Sequence, residues 1–520
     1  MNRLLVTGGT LWNGSAFIRG NALLVEDSRI AAAGPEERVR ADAGQCRELN
    51  LSGEAVLPGF TDAHIHLSTW AKQKTLLNLA AAESLAGLLE LVAEEARKTP
   101  PDHWIRGWNY NDTLWPEGRS VTKADLDSLG IPNPILLQRV CTHVNVADSR
   151  ALAIAGIESA DGVLPEREAI PALRAMEKNV FSRSGLRDAL GAACFELASF
   201  GVTCAHPCGA DDYGMEEDLS LYDELRRAGA LPIRIFSYHD SLPYPVIPSG
   251  FGDEWIRYQG LKIYLDGSLG GRTAALTEPY ADDRYEEGTL NWSDEQILGM
   301  LRTAREKGIQ TLLHAIGDRA LDQALACIGQ IDAEFGPAAL KDRINHLIVC
   351  RPDQRRLLAA LGLFCDIQPS FVPSDFSMAP HRLGPRRTPW AYRWRSILNE
   401  GLLLSASSDA PVESANPMDA LWALTERRRE DGGEAFAPEE CLTLEEALPL
   451  LTANPYRAVG RGEENGRLEA GYPADIAVFD RDISGLRGDA LRRARVRFTF
   501  AGGRLSHGDL EDWPRFGRGI

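Results

Sequence analysis

Two histidines one residue apart, His64 and His66, close the apolar stretch Leu57-Pro58-Gly59-Phe60-Thr61-Asp62-Ala63-His64-Ile65-His66-Leu67. In a β-strand alternate side chains share a face, so both imidazoles project together, roughly 6–7 Å apart, close enough to share one metal ion. Ile65 then turns to the apolar side. Matching donors recur far downstream: Lys262 in Gly260-Leu261-Lys262-Ile263-Tyr264-Leu265-Asp266-Gly267, His314 in Leu313-His314-Ala315-Ile316-Gly317-Asp318, His346 in Ile344-Asn345-His346-Leu347, and Asp409 in Ser407-Ser408-Asp409-Ala410-Pro411. Taken singly, each has an ordinary structural explanation: a core histidine with satisfied hydrogen bonds, or an aspartate capping a helix. Taken together, four imidazoles and a carboxylate suit zinc or a similar borderline metal.

Such donors act together only on a scaffold that converges them. From Leu186 onward apolar strands alternate with amphipathic helices, the sign of βα units and a parallel sheet. Strands are expected at 201–206, 233–238, 261–266, 309–314, 343–349, 363–368 and 402–407, with helices at 294–307, 318–328 and 352–361. Adding the strand that ends at His64 makes the eight of a (β/α)₈ barrel, whose reactive groups sit at the carboxyl ends of the strands, where these donors fall. Short β segments at 3–6, 22–26 and 29–33 cannot close a core alone, and 474–479 and 496–500 supply their complement. The fold expected is therefore α/β: a distorted TIM barrel (56–69 and 185–456) with a small β-sandwich built from both termini (1–55 and 457–520). Residues 70–184 hold a helical period at 85–96 and strands at 104–110 and 134–140; too long for a connecting loop, they form an α+β insertion after the first barrel strand, expected above the pocket.

Composition narrows the function classes. A chain of 520 residues, 44% hydrophobic and 25% charged, is ordinary globular material. With 74 acidic against 56 basic residues the net charge is −18, which disfavours a general nucleic-acid or anionic-membrane surface. No signal-peptide core or membrane-length apolar run stands out, so the cytoplasm is the expected location. The nine scattered cysteines contain no Cys-x-x-Cys pair, which argues against a disulfide framework and a zinc ribbon.

The order His-x-His, Lys, His, His, Asp on a barrel resembles the amidohydrolase superfamily, and within it the amidohydrolase-3 or YtcJ-like branch that includes N-substituted formamide deformylase-type proteins. The resemblance is carried by Pro58-Gly59-Phe60-Thr61-Asp62-Ala63-His64-Ile65-His66, Lys262-Ile263-Tyr264-Leu265-Asp266-Gly267-Ser268-Leu269-Gly270, His314-Ala315-Ile316-Gly317-Asp318, Asn345-His346, Gln368-Pro369-Ser370 and Ser408-Asp409-Ala410-Pro411-Val412. It covers essentially the whole chain, including His143-Val144-Asn145 in the insertion. It implies two divalent ions, zinc by type, bridged by Lys262 after its amine has taken up CO₂ as a carbamate. His64, His66 and Asp409 would hold the more buried ion and His314 and His346 the more exposed one. The pair would ready a bridging hydroxide, with Asp409 as the base. A different reading of Lys262 makes it a barrel-floor lysine paired with Asp266, which then supplies the carboxylate; the two residues share a face.

The function expected is hydrolysis of a carbon–nitrogen bond in a small non-peptide amide, N-acyl compound or formamide. The alternatives are a deaminase or cyclic-amide hydrolase with one catalytic metal, and a scaffold that has lost its chemistry. A homodimer is the default assembly. Substrate contacts are assigned to His143, Arg272, His206 and Gln368, with His239 of the same standing as His206. Cys204 and Cys208 are read as packing, and Arg382, Arg386, Arg387, Arg393 and Arg395 as a basic stretch that either attracts an anionic substrate or pairs with nearby acids. Trp104, Trp108, Tyr110 and Trp115 suit an aromatic subsite or a core equally well.

Overall fold

Parallel strands covered by helices are buried on both faces, which explains why segments such as Thr311-Leu312-Leu313-His314-Ala315 run apolar instead of alternating. The computed structural model describes residues 2–517 apart from 141–143, 166–168, 170, 174, 177–181, 209–215, 243–245, 430 and 512. Among the described residues eight parallel strands pair in chain order: β1 (Phe60–Ile65), β2 (Val202–Pro207), β3 (Arg234–His239), β4 (Ile256–Tyr264), β5 (Gln310–Ala315), β6 (Arg343–His346), β7 (Phe364–Ile367) and β8 (Leu403–Ala406). They form a nearly closed barrel. The seam between β1 and the segment after β8 is made by two main-chain bonds, Asp409 N to His64 O and His66 N to Ala410 O, both 2.9 Å.

The outer helices follow from local signals. The helix Asp294–Glu306 starts with a capping box between Ser293 and Gln296, buries Ile297, Leu301 and Ala304 along one stripe, and gives way at Gly308, whose φ is +65°. The helix Pro352–Leu361 opens on proline and stops at Gly362 in the left-handed region.

Two strands depart from expectation. β4 starts five residues before the expected 261, because Asp253 Oδ1 accepts from the main-chain N–H groups of Trp255 and Ile256 and launches the strand there. It ends at Tyr264 because Asp266 is bound to other loops. β6 stops at His346, short of 349, since His346 and Leu347 have φ of +74° and +48° and cannot continue a ladder.

A six-stranded sheet joins both chain ends in the order Arg504–His507, Val496–Ala501, Ile476–Phe479, Ala55–Pro58, Thr10–Trp12, Phe17–Arg19. A four-stranded sheet runs Arg29–Pro35, Asn21–Glu26, Arg3–Thr7, Arg47–Asn50. Val6, Val25, Val56, Ile476 and Phe500 share one core. These sheets belong to the same compact unit as the barrel. A buried pair ties them together: the Arg234 guanidinium on β3 donates to both oxygens of Asp475, at 2.8 and 3.1 Å, and its face lies over Trp255.

Residues 68–193 form most of a second compact unit. Its five-stranded sheet runs Val163–Pro165, Val144–Ala147, Ile135–Arg139, Ile105–Tyr110, Leu77–Asn78. The helix Leu85–Ala96 packs Leu88 and Val92 into a core with Ile105, Ile135 and Leu137. Tyr110 and Trp115 lie in that core and Trp104 in a neighbouring one, so these aromatics pack.

No helix among the described residues is long and apolar enough to cross a membrane. The eight described cysteines are all free thiols.

The Arg234–Asp475 tie makes a stability prediction. Asp475→Ala strands a buried guanidinium and should cost about 3–5 kcal/mol in denaturant unfolding, whereas Arg234→Met combined with Asp475→Leu should recover most of it; a single-variant loss under about 1 kcal/mol would contradict the role. A second prediction concerns pH. Burial pushes the Asp375 carboxyl, which accepts from the Tyr392 hydroxyl, up to about 6. Folding raises this pKa, so its stabilisation is complete at low pH and is lost as pH rises through 6. Asp375→Asn should match the wild type near pH 4 and exceed its stability near pH 8 by up to about 3 kcal/mol. Parallel stability curves for the two proteins would refute it.

Candidate metal centre

The carboxyl ends of the strands carry the chemistry-bearing groups. His64 lies inside β1 and His66 just beyond it, their ring centroids 5.2 Å apart. Asp409 follows β8, with φ of +59°, a left-handed conformation that a non-glycine residue holds only where its surroundings enforce it. Asp62 does much of the enforcing: its carboxylate accepts from Ser408 N at 3.0 Å, from the Ser408 hydroxyl at 2.5 Å and from His64 N at 3.3 Å. Burial pushes Asp62 up to about 7, against those bonds.

Ligand atoms of His64, His66 and Asp409 all lie within 4.8 Å of one another. His64 Nε2 and His66 Nε2 stand 2.9 and 3.2 Å from Asp409 Oδ1. The closer approach is misaligned for hydrogen bonding, so the buried His64 Nε2 and Asp409 Oδ1 are left without a bonded partner. Burial and the nearby Lys262 hold His64 well below the ordinary imidazole range. Burial opposes ionisation of Asp409, but His64 and His66 outweigh it and hold the carboxyl well below the usual carboxylate range. A buried carboxylate with two imidazole nitrogens close beside it fits a cation.

The second group of donors is differently arranged. His346 stands 5.4 Å from His64 and 4.3 Å from His314, centroid to centroid. His314 Nε2 lies 3.3 Å from the Gly267 carbonyl, an acceptor that places the ring proton on Nε2 and leaves Nδ1 as the lone pair. Burial and Lys262 bring His314 down to about 3, and burial and His314 hold His346 well below its ordinary range. Lys262, 1% exposed, donates through Nζ to Asn345 Oδ1 and lies 5.0 Å from the Tyr264 ring. Burial pushes its ammonium down to about 8. No ion pair joins it to Asp266, whose carboxylate instead accepts from the main-chain N–H groups of Ala275, Ile316 and Gly317. Asp266 therefore ties loops together, although His314 Nε2 is 3.4 Å away.

Other sequence candidates find different surroundings. His206 is buried, stacked on Phe236, with Nδ1 3.5 Å from Arg343 Nη1, outside the group that could hold an ion. Cys204 and Cys208 sit in an apolar cluster with Phe236, Tyr238, Leu312, Tyr456 and Val459. His239 contacts Ser237 Oγ at 3.3 Å, and burial brings it down to about 4. Arg272 is paired with Asp282 through Nε and Nη2. Arg382 shares that aspartate, while Arg386 pairs with Glu278, Arg393 with Glu439 and Arg395 with Glu446; Arg387 donates to main-chain carbonyls. His143 lies outside the described residues.

Sequence reasoning passed over the layer that supports the donors. Arg343, fully buried, pairs with Asp366 at 2.7 Å and donates to Tyr238 Oη at 2.6 Å and to Ala63 O at 3.0 Å. The only local signal for it is an arginine opening the short strand Arg343-Ile344-Asn345-His346.

Comparison with known proteins agrees with this geometry. A model of the amidohydrolase family matches residues 47–507. YtcJ of Bacillus subtilis (strain 168) is 30% identical, over 94% of this chain and 96% of that protein. N-substituted formamide deformylase of Arthrobacter pascens is 26% identical, over 94% of each. The crystal structure of an uncharacterized metal-dependent hydrolase from Pyrococcus horikoshii OT3 superposes with a TM-score of 0.81 at 25% identity, covering 94% of this chain and 99% of the other. With the family model spanning every strand that carries a donor and the likeness to YtcJ covering 94% of the chain, this chain belongs to the amidohydrolase family.

Proposed function

We propose that the protein is a metal-dependent hydrolase of the carbon–nitrogen bond in a small non-peptide amide, N-acyl compound or formamide. The reading is carried by the convergence of His64, His66 and Asp409 in a barrel of this family. The name of one relative, an N-substituted formamide deformylase, supports the bond type. His64, His66 and Asp409 would hold one divalent ion, and His314 and His346 a second, with carboxylated Lys262 between them; zinc suits the donors. When bound, the metal supplies Lewis acidity and a water whose pKa lies near neutrality.

The protein's own part follows from Asp409. Ionised and buried, it can take the proton of the attacking water and return it to the leaving nitrogen as the carbon–nitrogen bond breaks. Burial of Lys262 favours its neutral amine, the form that reacts with CO₂.

One observation favours a second reading, a deaminase or cyclic-amide hydrolase with a single ion. His64, His66 and Asp409, whose ligand atoms lie within 4.8 Å of one another, would by themselves hold that single ion.

Asp409→Asn should keep its metal and lose about 10²–10⁴-fold in turnover of its substrate, sought in a panel of N-acyl amino acids, formamides and cyclic amides; unchanged turnover contradicts the mechanism. Elemental analysis of zinc-loaded protein separates the two readings. Two ions per chain, falling to one in Lys262→Met, supports the bridged pair; one ion per chain in both supports the single-metal enzyme.

A further inference from the structure

Gln368, expected from the sequence to touch substrate, is 1% exposed, and both ends of its amide are engaged. Oε1 lies 2.8 Å from His346 Nδ1, and Nε2 lies 2.9 Å from Ser407 Oγ. The Ser407 hydroxyl in turn reaches the Ile367 carbonyl at 3.1 Å. The relay crosses three neighbouring strand ends, those of β6, β7 and β8, and all its members are buried.

Its polarity can be worked out from the far end. A carbonyl only accepts, so Ser407 donates its one proton to Ile367, and Oγ faces Gln368 with lone pairs. The amide group meeting it must be the donor, Nε2. That turns Oε1, which has no proton to give, toward His346. The ring nitrogen Nδ1 must then carry the proton, leaving the lone pair on Nε2. Flipping the amide would draw the Ser407 proton away from Ile367 and put the histidine proton on Nε2, where no metal could bind. Phe371, stacked on the ring at 6.2 Å and 14°, adds a second restraint on its orientation.

We propose that Gln368 and Ser407 are positioning residues that hold His346 in its Nδ1–H tautomer, so that the Ile367 main-chain carbonyl sets the ligating state of a side chain three hydrogen bonds away. The consequence for metal binding rests on the proposed function; the tautomer itself does not.

The test uses ¹⁵N-histidine-labelled, metal-free full-length protein, in which two-bond ¹H–¹⁵N correlation distinguishes protonated from bare ring nitrogens, with His346→Gln assigning the signal. Wild type should show His346 as Nδ1–H. Gln368→Met should lose that pattern and bind Zn²⁺, in competition with a chromophoric chelator, about 10–100-fold more weakly. Gln368→Glu, which keeps an acceptor at Nδ1, should retain both tautomer and affinity, a rescue that mere packing at this position would not give. Ser407→Ala, which frees the amide to flip, should give mixed tautomers and decides the matter if Gln368→Met does not fold. An Nε2–H tautomer in wild type, or an unchanged tautomer in both Gln368→Met and Ser407→Ala, overturns the proposal. Failure of wild type to bind Zn²⁺ would overturn the metal reading alone, since the spectra are recorded without metal.

Discussion

Barrel closure and donor convergence in this protein are one event. The main-chain bonds from Asp409 to His64 and from His66 to Ala410 close the ring of strands, and they join three residues that could share an ion. Asp62 reinforces the seam by holding Ser408 and the His64 amide on one carboxylate. The left-handed backbone at Asp409 is held in place by the same bonds, so the local conformational cost is offset by closure itself. A change that opened the seam would therefore disperse the donors before it unfolded the helices around them.

The two halves of the candidate site stand in different states of readiness. His64 Nε2 and Asp409 Oδ1 lie 2.9 Å apart, buried and without a hydrogen-bond partner, an arrangement that fits a shared cation. In the other half the polar atoms already have partners: Lys262 has Asn345, His314 has Gly267, and His346 has Gln368. For the histidines these bonds are compatible with ligation, since each occupies one ring nitrogen and leaves the other free. Lys262 differs, since burial already favours its neutral amine over the ammonium.

The legible part of this fold was what repeats or has a distinctive donor. Strand periodicity located the eight barrel strands to within a few residues, with β4 the widest miss, and the donor types marked where their ends lie. What escaped was pairing over distance. Arg272 in sequence looks like a free clamp, but Asp282, ten residues on, takes its guanidinium, and nothing in the intervening residues signals the turn that brings them together. For the basic stretch from Arg382 to Arg395 the expected alternative of pairing with acids holds, the partners being acids and carbonyls from other parts of the chain. Strand ends at His346 and Leu347 depend on positive φ in residues that ordinarily avoid it, a tertiary effect that overrides local preference.

The floor beneath the donors shows why a barrel interior keeps a charge that hydrophobic side chains could replace. Arg343 is fully buried, so burial alone would destabilise it, and pairing with Asp366 at best offsets that cost. Its directional bonds do what volume cannot. They reach Tyr238 on β3, Asp366 on β7 and the carbonyl of Ala63 on β1, the residue between Asp62 and His64. An apolar plug of equal size would tolerate sliding of β1 along the barrel axis, whereas a guanidinium bound to a main-chain oxygen holds that strand at one height relative to β6. Because His346 lies three residues beyond Arg343 on the same strand, this side chain adds to the main-chain pairing a direct tie between the strands that carry donors of the two halves of the site.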